Sequence, residues 1–131
     1  MKKDNKGFSL VELIIVIAIM AVLIGILAPT YMRFVQRSKV STDITNAQEM
    51  ATAINTAITD GVTIGGINNG TATAAGATVT GLPGFTTVPA SKVDSTYSWV
   101  VTWDTTDGVT SITLGGAAIY PDPAAYHTAN D

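Results

Sequence analysis

Residues 6–29 read KGFSLVELIIVIAIMAVLIGILAP, a stretch in which one carboxylate, Glu12, stands at the front of an apolar run from Leu13 to Ala28. Phe8 to Ala28 is long enough, as a helix at ~1.5 Å per residue, to span roughly 31 Å, about one hydrocarbon core. A cleaved secretory signal shares the basic start, but no small-x-small site follows the apolar stretch and Pro29 comes directly after Ala28. A plain membrane anchor fits the length. Basic residues flank it on both sides, Lys2, Lys3 and Lys6 before and Arg33, Arg37 and Lys39 after, so loop charge sets no orientation. Neither reading accounts for Glu12.

An acid inside such a segment costs on the order of 2.5–3.5 kcal/mol at mid-helix and less near an end, so a partner is expected. The i±3 and i±4 neighbours of Glu12 are Phe8, Ser9, Ile15 and Val16, none of them basic. A cut between Gly7 and Phe8 would create an α-amine one turn before the acid. That amine is the natural counter-charge, in the same chain or in a packed neighbour.

KGFSLVEL, the apolar run and Pro29 together resemble the amino-terminal signature of type IV prepilins and the related pseudopilins, over residues 2 to 40. The resemblance implies that residues 1–7 are a leader ending in Gly7, removed on the cytoplasmic side by a prepilin peptidase. It implies that Phe8 becomes the N-methylated terminus and that Glu12 docks on a neighbour's amine during assembly. Pro29 matches the helix-interrupting proline of that family. The implied partners are other copies of the chain, the peptidase, the pilus assembly machinery and, before assembly, the membrane. The implied location is a single-pass cytoplasmic-membrane precursor that becomes an extracellular filament. Many Gram-negative members carry a C-terminal disulfide loop; with no cysteine, this chain resembles members outside that subgroup.

The physics agrees with that scheme. Removing residues 1–7 takes away three lysines and one aspartate, lowering the formal charge from −3 to −5 before the new amine is counted. The apolar segment then starts at its own terminus and can move from lipid into a bundle of like helices. An unpaired Glu12 buried there would cost about 3–5 kcal/mol, which makes the acid a register device. Pro29 leaves the carbonyl of Gly25 without its helical donor, and glycine is itself a poor helix former, so a kink, or local melting in the assembled filament, is expected between them.

Past Pro29 the pattern becomes one-sided. Val40, Ile44, Ala47, Ala51, Ile54 and Ile58 recur at steps of four and three, a helical stripe, with Lys39, Asp43, Gln48 and Glu49 largely off it. Asp60-Gly61 supplies the stop. One helix from about Phe8 to Thr59 is therefore expected, with residues 8–28 in membrane or filament core and residues 29–60 amphipathic. Residues 61–131 form a β-rich head. Residues 61–81 carry no charge and read as a loop with room for a short strand. Tyr97 to Trp103 is a strand with Tyr97, Trp99, Val101 and Trp103 on one face, Asp104 to Gly108 a turn, and Val109 to Leu114 the returning strand. A further strand is expected near Phe85 to Val88, and an irregular surface tail from Ile119. The fold class is α+β, a long N-terminal helix whose C-terminal half packs on a small antiparallel sheet.

The composition excludes several functions. At 13% charged residues and 47% hydrophobic ones, the chain is not a highly charged disordered polymer. The absence of cysteine rules out thiolate zinc sites and cysteine nucleophiles. The single histidine, His127, is near the C-terminus, and no glycine-framed serine or phosphate-cradling loop is present, so neither an enzyme nor a cofactor is expected. Asp104, Asp107 and Asp122 would make an oxygen-ligand calcium site only if the tail folded back on the hairpin turn; as turn formers they need no metal. Asn69-Gly70-Thr71 is a glycosylation sequon of a kind common by chance. After cleavage only Arg33, Arg37, Lys39 and Lys92 are basic, too few for a nucleic-acid surface. The reading is a type IV pilus subunit; the alternatives are a pseudopilin of a secretion or competence system and a membrane-anchored binding domain.

Overall fold

The computed structural model describes residues 7–131; Lys2, Lys3, Lys6 and all of the expected leader except Gly7 lie outside the described residues. Helix α1 runs from Leu10 to Thr59, beginning two residues later than the expected Phe8 start. It is helical without interruption through Gly25 and Pro29. A proline removes one main-chain hydrogen bond, and the leucines, isoleucines and methionines on either side have the helix propensity to carry the element across it. The chain divides into two compact units, residues 1–35 and 36–131.

In the first unit the helix has no covered face. Every large hydrophobic side chain from Phe8 to Leu27 is exposed, and so are Tyr31, Met32 and Phe34. This part of α1 is long and apolar enough to cross a membrane.

The second unit opens with the rest of α1 and continues through β1 (Ala72–Thr73), β2 (Trp99–Asp104), β3 (Gly108–Leu114), β4 (Ala117–Tyr120) and α2 (Ala124–Asn130). The strands form an antiparallel sheet in the order β1-β2-β3-β4. Val40, Ala47, Met50, Ala51, Ile54 and Ala57 of α1 join Trp99, Val101, Ile112, Leu114 and Ile119 of the sheet in one buried core. Ile44 and Ile58 are only partly buried at its edge, because the buried face is centred one residue away from the stripe read in the sequence.

The hairpin is where the alternation of β-formers placed it. Trp99 pairs with Leu114 and Val101 with Ile112, all four buried. A register shift between Thr102 and Trp103 then breaks the alternation, which leaves Trp103 half-buried, opposite Val109. The turn closes on α1: Asn55 Oδ1 accepts the Val109 N–H at 2.8 Å. Gly108, at φ +77°, has no room for a larger residue, since a Cβ there would run into the same Asn55 oxygen.

Two expectations are corrected. The strand near Phe85 to Val88 is only an isolated bridge, Thr78 to Thr87, limited by the Pro83-Gly84 turn before it and Pro89 after it. The tail from Ile119 is ordered: it completes β4 and forms α2, whose Tyr126 is fully buried. Pro123 immediately precedes that helix, a position where a missing N–H costs nothing.

Candidate processing and assembly site

Gly7 and Phe8 lie ahead of α1 in non-helical chain, both exposed, Phe8 to 80%. A peptide bond in that conformation is open to a protease, whereas one inside a helix is not. Four residues on, Glu12 sits in the first turn of α1. Ser9 Oγ accepts the Glu12 N–H, and Glu12 Oε2 accepts the Ser9 N–H, each at 3.3 Å. This is a capping box, in which two main-chain donors that the helix start leaves unpaired are satisfied reciprocally. A carboxylate at this end also complements the helix dipole. The S-x-x-E spacing of residues 9–12 is legible in the sequence and was passed over there, because only basic partners were sought for the acid.

The capping box does not use up Glu12. Only Oε2 is hydrogen-bonded among the described residues, so Oε1 is left for an incoming donor. Ser9 and Glu12 both lie beyond the Gly7–Phe8 bond, so a cut there leaves the box in place and sets the α-amine of Phe8 next to it. Gly25 and Pro29 stand further along the same apolar helix, and a Cβ on Gly25 would meet nothing within 4 Å.

A second carboxylate was misplaced by the sequence reading. Asp43, put off the apolar stripe there, is fully buried. Its oxygens accept the Tyr126 hydroxyl at 2.6 Å, the Ser91 hydroxyl at 2.5 Å, and the N–H groups of Lys92 at 2.7 Å and Val93 at 3.4 Å. In every one of these contacts the carboxyl group is the acceptor, so its buried oxygens are satisfied. Burial, and after it the hydrogen bond given to Asp43, push the Tyr126 phenol far above the ordinary tyrosine range. A raised phenol pKa stabilises the fold below the unfolded value of about 10 and ceases to do so as pH rises past it, because the unfolded chain gives up that proton first. The unfolding midpoint of the full chain in detergent is therefore expected to fall above about pH 10. Tyr126→Phe, though less stable at neutral pH, should show a shallower fall.

The remaining candidates have local uses. Asp104 accepts the Thr106 N–H in the β2–β3 turn, which holds its carboxyl below the usual range, and Asp122 accepts the Ala124 N–H ahead of α2. No three carboxylates or imidazoles group as a metal-ligand set among the described residues. His127 is on α2, its Nδ1 3.0 Å from Asp131. Asn69 of the sequon pairs its amide with the main chain of Trp103 in both directions, donating at 2.7 Å and accepting at 3.0 Å.

The model of the prokaryotic N-terminal methylation motif matches residues 2–28. The chain is also similar to the type IV major fimbrial protein FimA of Dichelobacter nodosus, 44% identical over 61 residues. In its amino-terminal segment the chain is similar to type IV pilins. Further similar pilin-family proteins are a fimbrial protein of Pseudomonas aeruginosa, 37% identical over 59 residues, and the type IV major pilin protein PilA of Myxococcus xanthus, 45% identical over 49. The similarity takes in 47%, 45% and 37% of this chain and 39%, 38% and 22% of the three relatives, in the order given, so it spans well under half of each pilin. No solved structure matches. The α+β architecture of a long N-terminal helix and a small antiparallel sheet is that of a pilin. The names of these relatives are those of fimbrial and pilin proteins.

Proposed function

We propose that this chain is the subunit of a type IV pilus, held in the cytoplasmic membrane by residues 8–28 until a prepilin peptidase cuts between Gly7 and Phe8. Phe8 is then N-methylated, the subunit leaves the bilayer, and its apolar helix packs among copies of itself with Glu12 paired to the Phe8 amine of a neighbour. Residues 61–131, with the amphipathic half of α1, form the outward head. The observation that carries the reading is Glu12 placed at the very start of a helix whose apolar side chains, from Leu10 to Phe34, have no cover in the single chain. Bare apolar surface of that length needs lipid or like helices around it, and the acid needs a cation once water is gone.

Intact mass of the protein from whole cells and from sheared surface material tests this. A mass beginning at Phe8 with one added methyl group, recovered in the sheared fraction, is the expected result. A chain that still begins at Met1 and stays with the membrane would instead identify an anchored domain and overturn the proposal.

A further inference from the structure

Asn69-Gly70 is the one Asn-Gly pair in the chain. This dipeptide is the most prone to spontaneous deamidation, because glycine puts no side chain in the way of ring closure. The main-chain nitrogen of Gly70 bonds to Asn69 Cγ, the bond from Cγ to Nδ2 breaks, and ammonia leaves with the proton lost from the Gly70 N–H. Water then opens the cyclic imide to aspartate or isoaspartate. The reaction needs a free Gly70 N–H and an Asn69 side chain able to turn toward it.

The fold withholds both. The Gly70 N–H donates to the Val101 carbonyl at 2.8 Å. The Asn69 amide is turned the other way, held to Trp103 by its two hydrogen bonds. Together these contacts continue the edge of β2 past its last pair with β1, Ala72 to Val100, with a side-chain amide standing in for a strand residue. Asn69 and Gly70 are both exposed, so lack of water is not what protects them. We propose that Asn69-Gly70 is a deamidation site silenced by the β2 edge, converting only in molecules in which that edge has opened. Conversion is also self-sealing: the product carboxylate has no donor for the Trp103 carbonyl and sets an acceptor against it, so the edge cannot close as before.

Two measurements decide the matter. The full-length chain in detergent is held at mildly alkaline pH, folded in one sample and unfolded by denaturant in the other, and conversion at residue 69 is followed by peptide mass. Conversion in the folded sample should be slower by roughly tenfold or more, the factor being set by how seldom the edge opens. Equal rates would overturn the proposal. Asn69→Asp, which copies the product, should lower the denaturant midpoint relative to the unmodified chain. An unchanged midpoint would show that the amide pairing carries no weight and would overturn the self-sealing step.

Discussion

Glu12→Ala is expected to give a subunit that is still cut after Gly7 and methylated on Phe8 but is recovered from the cell surface at about one hundredth of the normal yield or less. Orphaning one member of a buried ion pair costs about 3–5 kcal/mol. Each 1.4 kcal/mol is a factor of ten in an equilibrium constant, and every subunit in a polymer meets the same penalty. Cleavage should survive because Gly7 and Phe8 lie outside the helix, in chain that does not depend on the Glu12 side chain for its exposure. The alanine also removes the capping partner of Ser9, and loss of a cap by itself weakens a helix start by about 1 kcal/mol. Glu12→Gln separates the two effects. Glutamine can take the reciprocal position of a capping box but carries no charge for a neighbouring amine. If pairing governs assembly, Gln behaves like Ala in the shearing assay. Normal filaments from the Gln variant would show that the acid caps its own helix and that intersubunit pairing is not its function.

What the sequence discloses of this fold depends on how far apart the cooperating residues lie. The apolar run, the Gly7-Phe8-Glu12 spacing and the Tyr97–Leu114 hairpin are local patterns, each contained in about twenty residues or fewer, and each is legible. The capping box is as local as these and was available from Ser9 and Glu12 alone. Asp43 is of a different kind. Its partners Ser91, Lys92 and Tyr126 are 48, 49 and 83 residues away, and nothing near Asp43 in the sequence announces them. A lone aspartate at the edge of an apolar stripe is more often solvated, and only the folded chain shows that a tyrosine and a serine come to meet it. The same holds for α2. Seven residues are too few for a helical period to register, and Pro121 and Pro123 read as breakers although Pro123 stands at the helix start. Asn69 stands in a tripeptide common by chance, and its 34-residue reach to Trp103 is invisible in one dimension.

Asp43→Ala is expected to lower the stability of the second unit by roughly 3 kcal/mol, a large share of the 5–15 kcal/mol that ordinary domains possess. The estimate rests on what is left behind. Without the carboxylate, the Lys92 N–H and the Tyr126 and Ser91 hydroxyls lose their acceptor. An unsatisfied buried donor costs about 1–3 kcal/mol, but the two hydroxyls are 3.5 Å apart and can partly satisfy each other, which keeps the total below three full penalties. Asp43→Asn should fall between wild type and Ala, because Asn Oδ1 can still serve Lys92 while the hydroxyls rotate to accept from its amide. Since Tyr126 is the residue α2 buries, the damage should show there first, as faster proteolysis of the C-terminal helix in the Ala variant under native conditions. Denaturant unfolding of the full chain in detergent, followed through the buried Trp99, measures the rest. An Ala variant within about 0.5 kcal/mol of wild type, the range of an indifferent surface substitution, would mean that water replaces the carboxylate without loss and that the C-terminal helix is held by packing alone.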